Sequence, residues 1–135
     1  RRTTDAFQLA ISVLYQNPVQ NFAITPNNLT DAPEVCLDFL KEVPTVWDET
    51  RYISGYPGES AVIARRHADT WYVAAVNAID KPLEIVAKDV LAALDAPDAQ
   101  AYVFSGGNKP VKEKAGRRTK VKVPKNDGLV MIINL

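Results

Sequence analysis

The sequence has one histidine, one cysteine and one methionine among 135 residues. Each scarcity removes a class of chemistry. A lone Cys36 excludes an internal disulfide and reads as a small buried hydrophobe. His67 and Cys36 lie far apart with no further ligand-type residues grouped around either, so no zinc-like cluster is expected and no cofactor is called for. A Ser-His-Asp arrangement needs a histidine placed beside a nucleophile, whereas His67 stands in a polar turn next to Arg65-Arg66. No apolar run approaches the ~20 residues that would span a bilayer, and Arg1-Arg2 is followed by Thr-Thr-Asp instead of an apolar leader. Formal charge is balanced, so no bulk field favours nucleic acid or membrane.

What is present is an ordinary globular composition, 47% hydrophobic and 24% charged. A chain of this length can bury roughly two thirds of its unfolded surface in one domain. The charge balance hides an asymmetry: residues 1–100 carry a net −6 and residues 101–135 a net +6. Arg117, Arg118, Lys120 and Lys122 interleave with Thr119, Val121 and Val123. That alternation suits a strand with one wet face, and no aromatic residues accompany it to stack on bases.

Two helices are expected first. Thr4 to Gln16 is helical, capped by Thr3 or Thr4 and stopped by Pro18. Its polar residues Gln8, Ser12 and Gln16 fall on one narrow stripe, and nearly all else is apolar, so the helix needs cover on several sides. Asp31, Pro33 and Glu34 form a capping-box start for a second helix that carries Val35, Cys36, Phe39 and Leu40 and ends at Pro44. After Pro44 the period becomes two. Strands are expected at Trp47–Ile53, Ser60–Arg66, Thr70–Asn77, Leu83–Ala87, Ala101–Ser105, Arg117–Val123 and Leu129–Asn134. Gly55-Tyr56-Pro57-Gly58, His67-Ala68-Asp69 and Asp80-Lys81 supply turns, and Lys88–Leu94 reads equally as helical turn or strand. About seven short strands joined by turn signals make an antiparallel β-sandwich, so the fold class is mainly β with a helical lead-in over 1–44 and a β-module over 45–135.

Asp48, Glu49 and Glu59 are the carboxylates nearest to the pattern used in sugar hydrolysis, but neighbours on a strand face opposite ways. Ion pairing with Arg51, Arg65 or Arg66 across strands accounts for them. Asn28-Leu29-Thr30 is a glycosylation sequon placed in a loop. Trp47, Tyr52, Tyr56 and Trp71 crowd the first strands. They either fill the core or present a stacking surface to an oligosaccharide or an interface.

Several stretches resemble glycoside hydrolase family 97, the α-glucosidase and α-galactosidase family. Phe7-Gln8-Leu9-Ala10, Tyr15 and Pro18-Val19-Gln20 look like its last barrel helix and the turn after it. Val43 to Arg51, Gly55-Tyr56-Pro57-Gly58-Glu59, Val62 to Arg66 and Trp71-Tyr72-Val73 follow in the family's order, and Pro124 to Leu135 is similar to its ending. The resemblance implies the C-terminal region of a three-part enzyme: an N-terminal sandwich, a (β/α)₈ barrel with the active site, and this C-terminal sandwich. Residues 1–44 would then be the barrel's last helical segment. The catalytic carboxylates and the calcium ligands of the family sit on the barrel, and no residue here matches them. The fragment is therefore expected to be inactive alone, to pack on the barrel, and to support oligomerisation, with the first helix as a contact to a second copy. The family resemblance also implies a periplasmic location. The alternative reading is a carbohydrate-binding module that uses the surface aromatics.

Overall fold

The structure is a computed structural model, and it describes residues 3–14, 34–56 and 58–135. The expected start of the second helix at Asp31, the sequon at Asn28 and the stop at Pro18 lie outside the described residues. Helix α1 spans Asp5–Leu14 and α2 spans Glu34–Glu42. Eight strands follow: β1 Glu49–Tyr56, β2 Ser60–His67, β3 Thr70–Asn77, β4 Leu83–Val86, β5 Gln100–Ser105, β6 Val111–Ala115, β7 Lys120–Val123 and β8 Asp127–Asn134. Helix α3, Ala87–Ala93, interrupts them between β4 and β5.

Six strands form one antiparallel sheet in the order β1-β2-β3-β8-β5-β6, and β4 pairs with β7 in a second. The first three strands are a meander whose tight connections set the register. Ala68 takes a positive φ of 51° in the β2–β3 turn, where His67 faces Thr70 across the ladder. The chain's last strand, β8, then inserts between β3 and β5. It is buried on both faces over Asp127–Met131, as its continuous apolar run Leu129-Val130-Met131-Ile132-Ile133 requires.

Each face of the large sheet has its own core. On one side Val62, Ala64, Trp71, Val73, Leu129, Met131 and Ile133 meet the small β4–β7 sheet and α3, which adds Val90, Leu91 and Leu94. This is the sandwich. On the other side Ala74, Val130 and Phe104 meet α1 and α2 through Leu9, Ala10, Val13, Cys36 and Phe39. Burying each such aliphatic or aromatic side chain contributes about 1.5–3 kcal/mol, and this burial holds both helices on the sheet. Asn77, fully buried, joins the layers: its Nδ2 donates to the carbonyls of Lys81 at 2.8 Å and Val123 at 2.9 Å, and its Oδ1 accepts from Ile79 N–H at 3.2 Å.

The mainly β sandwich with a helical lead-in is as expected, and particular elements differ. Lys88–Leu94 resolves as helix because Ala87, Val90, Leu91 and Leu94 recur at helical spacing and all enter the core. The strand expected over Arg117–Val123 begins only at Lys120; Arg117 and Arg118 sit in a turn in which the Gly116 N–H donates to Thr119 Oγ1. Strand β1 starts two residues later than expected, at Glu49, and runs through Tyr56 into what read as a turn. Strand β6 was not anticipated: Val111–Ala115 buries no side chain, so no hydrophobic alternation announces it.

The cover for α1 is also resolved. Ser12, assigned to a wet stripe, is buried, and its hydroxyl donates to the Leu9 carbonyl at 2.6 Å. This back-bond satisfies the hydroxyl within the helix and lets that face pack. The helix lies so close on β8 that a Cβ at Gly128 would stand 2.8 Å from the Ala75 carbonyl oxygen and 3.0 Å from Phe7 Cα.

Candidate functional site

The chemistry-bearing residues are dispersed. His67 is exposed at the end of β2, with Nδ1 3.0 Å from the Val46 carbonyl oxygen. Cys36 is buried among the helix-side core residues. Among the described residues no three His, Cys, Asp or Glu side chains come together as a metal site would require.

The carboxylates at the start of β1 are engaged with arginines. Glu49 lies 2.5 Å from Arg51 Nε and 3.6 Å from Arg66 Nε. Asp48 Oδ2 accepts the Ala68 N–H at 2.8 Å and lies 3.8 Å from Arg66. Arg51 further reaches Asp95 at 3.2 Å and the Ala93 carbonyl at 3.3 Å, and its guanidinium sits 5.2 Å from the Trp71 ring centroid. The hydrogen bonds to Glu49 and then Asp95 raise the pKa of this guanidinium further. Arg51 thus pins the first strand to the end of α3. Glu59 lies in the exposed β1–β2 turn, away from this group of ion pairs.

Arg65 behaves differently from its neighbour. Among the described residues it pairs with no carboxylate; Nε donates to the Val13 carbonyl at 2.8 Å, Nη2 to Leu14 at 2.7 Å and Nη1 to Thr50 Oγ1 at 2.7 Å. It binds carbonyls of the last turn of α1, where a positive charge is favoured. Burial lowers its pKa. At the other end Thr4 caps the helix, its Oγ1 accepting the Phe7 N–H at 3.1 Å and donating to Asp127.

The four aromatic residues, expected either in the core or at a contact surface, separate. Trp71 is core, 2% exposed, on the sandwich side. Trp47 packs on the helix side, edge-on to Tyr72 with centroids 5.4 Å apart, and its buried Nε1 has no hydrogen-bond partner among the described residues. Tyr52 and Tyr56 are 64% and 73% exposed. The β1–β2 register slips between Tyr52 and Ser54, so Tyr52 stands opposite Ile63 and Tyr56 opposite Ser60. Odd- and even-numbered residues of β2 face opposite ways, which puts the two tyrosines on opposite faces of the sheet. They therefore do not form one flat platform.

A cleft of about 210 Å³ opens on the helix side, lined by Phe39, Tyr72, Phe104, Ile132, Asp38, Glu42 and Lys112 among others. Phe39 meets Tyr72 and Phe104 edge-on, at 6.4 and 5.3 Å between centroids. Lys112 lies 4.9 Å from the Tyr102 centroid and 5.6 Å from that of Phe104. Burial, and then the charge of Glu42, pushes the Tyr72 hydroxyl above its usual pKa. The sequence reading missed this cleft and the role of Arg65. The cleft joins residues from α2, β3, β5, β6 and β8, and only the unpaired excess of arginine over carboxylate on β2 hinted at the second.

The geometry is a sandwich with helices on its outer face. The model of the family described as glycosyl-hydrolase 97 C-terminal, oligomerisation, matches residues 46–134, and the chain belongs to that family. A probable retaining alpha-galactosidase of Streptomyces bingchenggensis is 38% identical over 115 residues, covering 78% of this chain and 18% of its own length. A retaining alpha-galactosidase of Bacteroides thetaiotaomicron is 42% identical over 70 residues, 52% of this chain and 10% of its own. Among solved structures, a beta-arabinopyranosidase matches 98% of this chain and 21% of its own with a TM-score of 0.84 and 42% identity. A family 97 enzyme of Pseudoalteromonas sp. strain K8, in complex with panose, shares the fold at a TM-score of 0.74 and 23% identity. The chain spans about a fifth or less of the length of each of these two curated relatives.

Proposed function

We propose that this chain is the non-catalytic C-terminal module of a family 97 glycoside hydrolase that hydrolyses α-linked sugars, packing on a preceding catalytic barrel and helping subunits associate. The observation that carries the reading is the family match over 46–134 in a chain that spans so small a share of its relatives. Supporting it, α1 keeps Phe7, Ile11 and Leu14 only half-buried after docking on the sheet. That stripe is the surface a barrel would cover, in keeping with residues 1–44 being the barrel's last helical segment. Calcium would be held by barrel residues outside this chain, and the enzyme would work in the periplasm. Two relatives are named as retaining α-galactosidases, which favours galactoside over glucoside substrates. The test is turnover of aryl α-galactosides and α-glucosides by the full-length polypeptide. The galactoside is expected to be preferred, and Glu49→Gln and Glu59→Gln should leave kcat unchanged. Loss of turnover in either variant would place the chemistry in this module and overturn the reading.

A carbohydrate-binding role is favoured only by the exposure of Tyr52 and Tyr56, and their opposite facing weakens it. Calorimetry with malto-oligosaccharides and galacto-oligosaccharides is expected to give no heat that Tyr52→Ala or Tyr56→Ala abolishes.

A further inference from the structure

Among the described residues the large sheet has two unpaired edges, β1 and β6, and they are built differently. A free edge presents unpaired N–H and C=O groups that another strand can extend, and proteins guard such edges with prolines and charges. Strand β6 is guarded: Pro110 precedes it, and Lys112, Glu113 and Lys114 are all exposed. If two copies of β6 paired antiparallel about a two-fold axis, whichever of these three lay on the axis would face its own like charge. Strand β1 is longer, eight residues; its charged Glu49 and Arg51 are half-buried, and its exposed positions Thr50, Tyr52, Ser54 and Tyr56, spread over both faces, are uncharged.

The start of β1 is also complementary to itself. With Thr50 on a two-fold axis, antiparallel pairing sets Glu49 opposite Arg51 of the second copy, twice, and Asp48 opposite Tyr52. Glu49 and Arg51 share the sandwich-side face and lie 2.5 Å apart, each more than a third exposed, so the same pair of a second copy can join them in one charge cluster while Arg51 keeps its contacts to α3. The regular stretch ends where the register slips after Tyr52. Exposed Val46 flanks it.

We infer that residues Asp48–Tyr52 of β1 form the contact by which two copies of this chain associate, joining their sheets through a two-fold antiparallel pair centred on Thr50. This rests on the oligomerisation reading above and assigns its surface to the sheet edge, leaving the apolar stripe of α1 to the barrel.

The experiment uses the full-length polypeptide. Paired residues on the axis have Cα atoms about 4.5–5.5 Å apart, within disulfide reach. Thr50→Cys should therefore give a covalent dimer on mild oxidation, seen by non-reducing electrophoresis against the wild type, and Ser54→Cys should not. In sedimentation, Glu49→Arg should weaken association by about tenfold, as two attractive cross-strand pairs become repulsive. Adding Arg51→Glu to it should restore association. A dimer that neither cross-links through Thr50→Cys nor responds to Glu49→Arg would overturn the β1 assignment while the oligomerisation reading stands. A wild type that stays monomeric at every concentration would overturn both.

Discussion

The Arg65 guanidinium donates to the carbonyl of Leu14, 51 residues earlier, at 2.7 Å. With its bonds to Val13 and Thr50 it ties the end of α1 to the first two strands. A buried arginine is normally paired with an acid; here the C-terminal carbonyls of a helix act as the anion. The lead-in helix and the sheet are for this reason one mechanical unit at that corner.

Replacing Arg65 with methionine removes the three donors that reach Val13, Leu14 and Thr50. The expected loss is about 2–4 kcal/mol, from unmet hydrogen bonds to a charged group. Arg65→Lys should recover only part, because an ammonium lacks the planar fork that bridges neighbouring carbonyls. Urea denaturation checks the loss, and hydrogen exchange at α1 amides should rise first.

Gly128 tests how close α1 lies. Gly128→Ala pushes a methyl group against the Ala75 carbonyl and the backbone of Phe7, and such overpacking costs about 1–3 kcal/mol. Gly116→Ala, with no atom within 4 Å of the new carbon, should shift the melting temperature hardly at all.

The two exposed tyrosines and the buried tryptophan should separate in a stability series. Trp71→Ala is expected to cost about 3–5 kcal/mol, the range for emptying a buried aromatic site. It also frees Arg51 from its stacking partner. Tyr56→Ala should stay within about 0.5 kcal/mol, as exposed positions do. Comparable losses at both would mean that Tyr56 is covered.

Tyr72 gives a signed pH dependence. Burial and Glu42 raise its folded-state pKa above the unfolded value. Between those two values the folded state binds more protons, so stability falls as pH rises. The stability from this group is complete below about pH 10 and is lost as pH climbs through the unfolded and then the folded value. Tyr72→Phe should flatten the alkaline limb of stability against pH relative to wild type, and leave neutral pH nearly unchanged.

Much of the architecture was legible because period and punctuation agree in this chain. Thr70–Asn77 is a short apolar run rich in aromatic and β-branched residues and is bounded by turns, and the strand has those limits. A cap at Thr3 or Thr4 was readable because a hydroxyl ahead of an apolar run has few other uses, and the structure chooses Thr4. Strand β6 was not legible, because a strand held by backbone pairing to β5 alone needs no apolar face. The slip after Tyr52 was equally silent, and it decides which way each tyrosine faces.

By itself, then, the sequence determined that the chain is a mainly β module led by helices, and that it belongs with the C-terminal portion of a family 97 enzyme. Local periodicity is enough for the first, and the second rests on the resemblance of stretches such as Val43 to Val73 to that family. The tertiary structure alone decided what the charged and aromatic residues do. Arg65 caps a helix instead of pairing with an acid, Trp71 is core while Tyr52 and Tyr56 are surface, and β6 is a guarded edge while β1 is open. Those outcomes depend on which residues a long-range ladder sets side by side, and pairing between strands as distant in sequence as β3 and β8 leaves no trace in either segment read alone.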